Sequence, residues 1–278
     1  MIPIMDSAVH ELRARYAAYR WTPAASGASG AEVHRLAGTG AGPDLYVKVA
    51  TATTEGPSSE LVGEADRLAW LTGRGIPVPR IVERGADGNV AWLVTEAVPG
   101  VPAAERLPED RRPAVVEALA DLAAALHELP VADCPFDRGL AVTEAQAARN
   151  LHEGLVELDD LDEERAGWSG QRLLDALRRA RPASEDLVVT HGDLTPENVL
   201  IDPETCRVTG VIDVVRLGRA DRHADLALIL RELASDADPW FGPRYAERFV
   251  ERYVERAAGT VVVDEGRLAY YRLLDEFF

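Results

Sequence analysis

Around Pro99-Gly100 the chain changes its hydrophobic period, and that change limits the folds open to it more than any other feature. Ahead of it, "EVHRLAG" and "DLYVKVA" alternate as neighbouring strands joined by the glycine-rich "GTGAGP". "SSELVGEADRLAWLTGRG" then sets Leu61, Ala65, Leu68 and Leu71 on one helical stripe, with a stop at Gly73. "IPVPRIVERG" and "AWLVTEAVPG" return to extended spacing, their prolines marking edges or turns. Beyond the dipeptide, "RRPAVVEALADLAAALHEL" is a long amphipathic helix, and helical patterns recur over 142–155, 169–181, 221–235, 242–258 and 265–276. The expected architecture is α+β. A small β-rich lobe occupies residues 1–97, with a hinge at its end, and a larger, mostly helical lobe occupies 98–278.

Composition narrows the class of function. At 278 residues, 47% apolar and 28% charged, the chain reads as a soluble globular protein. No apolar run is long enough to span a bilayer, and the opening "MIPIMDSAVHELRARYAAYRW" lacks the apolar core of a signal peptide, so a cytoplasmic location is expected. Cys134 and Cys206 show no CxxC spacing, and six scattered histidines offer no zinc pattern. The net charge of -17 argues against nucleic acid or an anionic membrane as partner and suits a cationic ligand, although acidity also serves solubility alone.

"THGDLTPENVLID" concentrates the chemistry. Phosphoryl transfer needs a group that orients the attacking hydroxyl, metal ligands for the phosphates and a cation beside them. Asp193 and, five residues on, Asn198 can serve as orienting carboxylate and metal-facing amide. Fifteen residues later the apolar "VTGVIDV" ends in Asp213, placed as a second Mg²⁺ ligand. Asp and Asn singly are ordinary turn formers. The ordered set H-x-D-x-x-x-x-N, then an apolar strand, then Asp, is far more specific than its parts.

The first lobe should supply the cation. Lys48 lies in an apolar strand between Val47 and Val49 and so wants an acidic partner. Glu64, on the inward edge of its helix between Leu61 and Leu68, is the candidate; Glu60, one turn earlier, competes. Tyr46 shares the strand face of Lys48 and reads equally as a stacking partner for a base or as core. Two glycine-rich stretches compete to cover phosphates: "GTGAG" at 38–42, and "SGASGAEV" at 26–33, where the amides of Ser29 and Gly30 are the candidates. Neither is a Walker loop. On the acceptor side, "ELDDLDEE" at 157–164 and the terminal "LLDEFF" cluster negative charge that would attract a polycation.

The motifs "HGDLTPEN", "GVIDVVRLGRADRHADLAL" and "YYRLLDEFF" together resemble the aminoglycoside 3'-phosphotransferase family of antibiotic-resistance kinases. The likeness runs along nearly the whole chain, including "GEADRLAWL", "GIPVPRIVERG", "WLVTEAVPG" and "LDDLDEERAGW". It implies a bilobal protein-kinase-like fold that uses Mg²⁺ and ATP, with GTP as the other candidate donor, to phosphorylate a sugar hydroxyl of an aminoglycoside such as kanamycin or neomycin. By motif position Asp193 would be the catalytic aspartate, Asn198 and Asp213 the metal ligands, and Lys48, paired with Glu64, the phosphate contact. Ser29 and Gly30 would lie in the phosphate loop, Tyr46 beside the adenine, and Glu96 and Ala97 in a hinge whose backbone reads the base. The family's acceptor pattern points to Asp160, Asp162, Glu163, Arg231, Glu232, Asp275, Glu276 and the carboxylate of Phe278.

The chain departs from that pattern in places. Val215 stands where the family usually has glycine, "LTPEN" is more protein-kinase-like than the usual spacer, and relatives often carry an acid around Ser235. A kinase of the same fold acting on another hydroxyl, and an inactive drug-binding protein, are the competing readings. The intact Asp193, Asn198, Asp213 and Lys48 set argues against the second of these. The resemblance leaves monomer and weak dimer both open.

Overall fold

Strands β1 (Tyr19–Pro23), β2 (Glu32–Gly38), β3 (Leu45–Thr51), β4 (Ile81–Asp87) and β5 (Val90–Glu96) form one antiparallel sheet in the order β1-β2-β3-β5-β4. They belong to the computed structural model of the chain, which describes residues 4–24, 31–38, 40, 42–51, 57–87, 90–235, 241–257, 259 and 261–278. Two compact units result: Met1–Gly100 with Thr209–Val215, and Val101–Val208 with Arg216–Phe278. The second crossing point is invisible in the hydrophobic period, because seven residues after a strand carry too little pattern to assign.

In the first unit, alternation along β3 sends Leu45, Val47 and Val49 into a core shared with Leu36, Val90 and Val94. Helix α1 (Ile4–Arg15) covers that core through Leu12, which is fully buried, with Val9 and Tyr16 packed beside it. Periodicity gives one helix in this half of the chain; α1 is a second. Ile4, Met5, Ala8, Val9 and Leu12 do recur at helical spacing, but the stripe is short and the sequence reading passes over it. Tyr46 and Lys48 fall on the opposite, less buried face of β3. Helix α2 (Pro57–Leu71) packs on the sheet with Leu61, Ala65, Leu68 and Leu71 buried, and the chain leaves it through Gly73 and Gly75, both at positive φ.

The second unit opens with the short strand β6 (Val101–Pro102), followed by helices α3 (Arg112–His127), α4 (Leu140–Glu153) and α5 (Gly170–Ala180). Strands β7 (Leu187–Thr190) and β8 (Val199–Ile201) flank the motif loop, β9 (Val208–Val211) follows, and β10 (Gly218–Asp221) pairs antiparallel with β7. Val101 and Pro102 pair with Ile201 and Leu200, which fixes the far end of the loop. Helices α6 (His223–Ala234), α7 (Pro243–Arg256) and α8 (Glu265–Asp275) complete the unit. α6 is the central element, with Leu226, Ala227, Ile229 and Leu233 fully buried. α7 buries Tyr245, Phe249 and Tyr253 on one side and sends arginines to α3: Arg252 grips Asp121 through two bonds of 2.8 and 3.0 Å, and Arg248 pairs with Glu117. α5 and α8 begin at side-chain caps, Ser169 accepting from the Arg172 amide and Asp264 from that of Arg267.

Candidate active site

Lys48 is the only lysine in the chain; every other basic side chain of this class is arginine. Its Nζ donates to Glu64 Oε1 and Oε2 at 2.8 and 3.1 Å and also ion-pairs with Asp213. Glu64, 8% exposed at the side chain, is therefore the partner, and Glu60 is exposed. Burial of Lys48 works against its charge, but the carboxylates of Glu64 and Asp213 outweigh it and hold the ammonium above the usual lysine range. Asp213 sits just past β9 at φ +56, a left-handed conformation that Asp tolerates better than most residues, and its side chain is 46% exposed. The residue two positions on, Val215, is not at positive φ, so the missing glycine at that position leaves no backbone demand unmet.

Tyr46 lies 36% exposed on the face of Lys48, available to a planar ligand rather than spent in the core. The amide of Glu96 donates to Arg80 O at 2.9 Å and that of Ala97 to Asp44 O at 2.8 Å. Those two N–H groups bond to carbonyls of the chain itself, so of the two residues' backbone groups the carbonyl oxygens are the ones to consider for a base. Ser29 and Gly30 lie outside the described residues.

In the second unit the motif loop is braced along its length. Thr190 Oγ1 donates to Gly218 O at 3.0 Å, tying the end of β7 to β10. The amides of His191 and Gly192 both donate at 2.8 Å to the carboxylate of Asp225, which α6 holds at 0% exposure. The Asp193 amide donates to His191 Nδ1 at 3.2 Å. Gly192 turns the chain at φ +84, and a Cβ there would fall 2.4 Å from the carbonyl oxygen of Arg216, so only glycine fits. Pro196–Asn198 form a single 3₁₀ turn, which returns Asn198 toward Asp193: its Nδ2 donates to Asp193 O at 2.9 Å and to Asp193 Oδ2 at 3.0 Å. Both donors of Asn198 being directed to Asp193, the amide oxygen is the group left to face an outside ligand. Of the Asp193 carboxylate, Oδ2 is the oxygen that Asn198 engages.

These donors also suit a magnesium ion. Asn198 and Asp213 offer hard oxygen ligands, and no cluster of three or more His, Cys, Asp or Glu that could cage a metal occurs among the described residues. Asp213 in the first unit and Asn198 in the second each offer the kind of oxygen that Mg²⁺ takes, an ion whose shell is largely completed by water and phosphate oxygens.

The acidic segments meet in the same unit, and arginines hold them together. Arg165 Nη1, nearly buried, bonds Glu276 at 3.0 Å and Asp162 at 3.1 Å, while the Asp162 amide donates weakly to Glu276 at 3.3 Å. Arg231 joins Asp275 at 3.0 Å and Glu232 at 3.2 Å, and reaches Asp162 at 4.0 Å; Arg216 joins Asp275 at 3.2 Å. Guanidinium groups of Arg138 and Arg216 lie 5.6 and 5.2 Å from the Phe278 ring centre, and Asn150 donates to Phe277 O at 2.8 Å. Asp160 and Glu163 lie on the same loop but are exposed and outside this arginine-held set. A small cavity of about 40 Å³ has Gly192, Arg216, Asp275 and Phe278 among its walls, so the motif loop and the chain end border one space. Burial and the charge of Asp162 push the Glu276 carboxyl above its usual range, Arg165 opposing them.

Arg165, Arg216 and Asp225 escape the sequence reading. Each carries a signal in retrospect: two arginines beside acidic or metal-ligand motifs, and one carboxylate in the apolar run "HADLALIL", where burial demands hydrogen-bond partners.

Comparison with known proteins agrees with this chemistry. The phosphotransferase enzyme family (APH) matches residues 20–266. An aminoglycoside 3'-phosphotransferase of Streptomyces fradiae is 62% identical over 96% of this chain and 98% of its own. The crystal structure of an aminoglycoside-3'-phosphotransferase of type VIII superposes with a TM-score of 0.91 at 58% identity, covering 99% of both chains. The phosphotransferase APH(3'')-Id from Streptomyces rimosus, in complex with ADP and streptomycin, gives 0.81 at 33% identity, covering 100% of this chain and 99% of that one.

Proposed function

Since this chain belongs to the aminoglycoside 3'-phosphotransferase family, we propose that it transfers the γ-phosphoryl group of ATP to the 3'-hydroxyl of an aminoglycoside and so inactivates the drug. The observation that carries the reading is the pinned pair in the motif loop. Asn198 holds Oδ2 of Asp193 and leaves Oδ1 to meet the acceptor hydroxyl. Asp193 orients that hydroxyl and takes its proton as the new O–P bond forms and the bond from the γ-phosphorus to the bridging oxygen breaks, ADP leaving. Lys48 binds the α- and β-phosphates, and Glu64 keeps its long side chain extended from β3. Asn198 and Asp213 are the residues to hold Mg²⁺, which would neutralise phosphate charge during transfer. Tyr46 stacks on the base.

Asp162, Asp275 and Glu276 bind the drug's ammonium groups. Their arginine partners hold the carboxylates in place before the drug arrives, which lowers the ordering cost of binding. This acidic set favours an aminoglycoside over a neutral sugar as acceptor, because a neutral sugar gains nothing from it.

The decisive experiment incubates the protein with Mg-ATP and kanamycin, neomycin or streptomycin and locates the phosphate by NMR. Phosphate on the 3'-oxygen of kanamycin and neomycin is expected. Transfer to a different hydroxyl, or none to any of the three, overturns the proposal.

Glu276 gives a separate test. Because its carboxyl is held above the usual range, acidification strips its charge at a higher pH than it strips ordinary carboxylates. Drug KM in the wild type is therefore expected to climb as pH falls through the weakly acidic region. Glu276→Gln should show a KM raised about tenfold at neutral pH, as for the loss of a partly buried ion pair, with a flatter acid limb. Equal KM values for the two proteins across that range would remove Glu276 from the drug site.

A further inference from the structure

Behind the motif loop runs a chain of hydrogen bonds that the proposed chemistry does not use. Arg222, at the start of α6, pairs with Asp186 and donates from Nη1 to Tyr253 Oη at 2.9 Å. Tyr253, on α7, lies 2.6 Å from His127 Nδ1, at the end of α3. His127 Nε2 lies 3.1 Å from Asp225 Oδ2, and Asp225 accepts the amides of His191 and Gly192. His127, Asp225 and Tyr253 are all buried.

The order of donors follows from the chemistry of each group. Arginine can only donate, so the Tyr253 oxygen accepts from it; the Asp225 carboxylate can only accept, so His127 Nε2 donates to it, and the bare Nδ1 of a neutral ring takes the Tyr253 hydrogen. A ring nitrogen that accepts carries no proton, so in neutral His127 the proton is on Nε2 and is donated to Asp225. Burial pushes the Tyr253 phenol up to about 12, which keeps its hydrogen in place through the neutral range. Every bond in the relay thus points toward one carboxylate. Asp225 in turn has three donors, two of which are the amides immediately before Asp193. A change of tautomer at His127 would set a bare nitrogen against Asp225, and the carboxylate would turn to find another donor. Gly192, whose amide is bonded to that carboxylate, would pass the turn to Asp193, the next residue.

We propose that Tyr253 is a positioning residue for phosphoryl transfer: by fixing the tautomer of His127 it orients Asp225, and through two backbone amides it sets the place of Asp193. Three helices distant in sequence, α3, α6 and α7, meet in this relay. It rests on the reading of Asp193 as the residue that receives the acceptor's proton.

The test compares wild type with Tyr253→Phe, His127→Gln and His127→Ala, measuring kcat and KM for ATP and drug, with thermal melts as a control. Tyr253→Phe removes one oxygen and keeps the ring that stacks on Phe249, whose centre is 6.1 Å away. It should lower kcat about tenfold, the effect of about one net hydrogen bond at the transition state, with both KM values within about twofold. His127→Ala should lose at least as much. His127→Gln should recover most of it, because a carboxamide presents an acceptor oxygen and a donor N–H and has no tautomer to choose. A kcat for Tyr253→Phe within twofold of wild type overturns the proposal, as does a His127→Gln as impaired as His127→Ala. The glutamine and alanine pair repeats the test without altering α7. Asp193→Asn, assayed alongside, separates the two readings. Turnover retained there defeats the role of Asp193, whereas a dead Asp193→Asn with an unaffected Tyr253→Phe defeats the relay alone.

Discussion

Asp193→Asn is expected to lose phosphotransfer to kanamycin by about 10²–10⁴-fold in kcat, the range for removing a positioned proton acceptor. Drug binding and fold should survive. Asparagine has the same shape, and its side-chain oxygen can still accept from Asn198 Nδ2, whose second bond is to the main-chain oxygen of residue 193. The amide brace at Gly192 and the His191 contact to the 193 amide do not involve the substituted group at all. What disappears is the negative oxygen that the hydroxyl needs as its proton leaves. Single-turnover rates with pre-bound Mg-ATP, together with drug affinity by calorimetry, check both halves. A kcat within tenfold of wild type would show that Asp193 only orients the loop.

For Asp213→Asn the expected loss is about 10²–10³-fold in kcat/KM for ATP, the several kcal/mol that a metal contributes to transition-state charge. Asparagine tolerates the left-handed backbone at this position, so the variant tests charge and not conformation. The carboxylate is nearly half exposed, and an ion pair so placed with Lys48 is worth only about 0–1 kcal/mol in stability. A small change in melting temperature beside a large loss of activity would therefore point to the metal. The magnesium concentration needed for half-maximal rate should rise in the same variant. An unchanged magnesium dependence with kcat/KM within tenfold would leave Asp213 as no more than a partner of Lys48.

How much could be read from the chain differs residue by residue. Asp193, Asn198 and Asp213 stood out as candidates because they form an ordered motif, the first two of them within one short turn. Lys48 was legible from its place in an apolar strand, and its being the sole lysine of the chain strengthens the signal. Glu64 was legible from helical phase, which set it on the inward edge, but only the structure ruled out Glu60, which is exposed. The bonding of the Glu96 and Ala97 amides was not legible, since their partners, the carbonyls of Arg80 and Asp44, are brought to them by tertiary structure. The acidic segments announced themselves by composition, but which carboxylates act together could not be told. Asp162, Asp275 and Glu276 join through Arg165 and Arg231, while Asp160 and Glu163, identical in type and adjacent in sequence, stay apart. Helix α1 escaped because its apolar stripe is short, and its Leu12 meets a sheet formed by residues distant in the chain.

By itself the sequence determined the α+β order of elements, and it set out the candidate members of the phosphotransfer motif and the charge of the ligand to be expected. These are local quantities: a hydrophobic period, a spacing of a few residues, a sum of charges. Only the tertiary structure decided what holds the motif in place. The amides before Asp193 find Asp225 33 and 34 residues away, Asp225 finds His127 98 residues away, and His127 finds Tyr253 126 residues away. A buried carboxylate must satisfy its oxygens with whatever donors packing brings near. Which donors those are depends on how α3, α6 and α7 settle against one another, and no spacing along the chain records that.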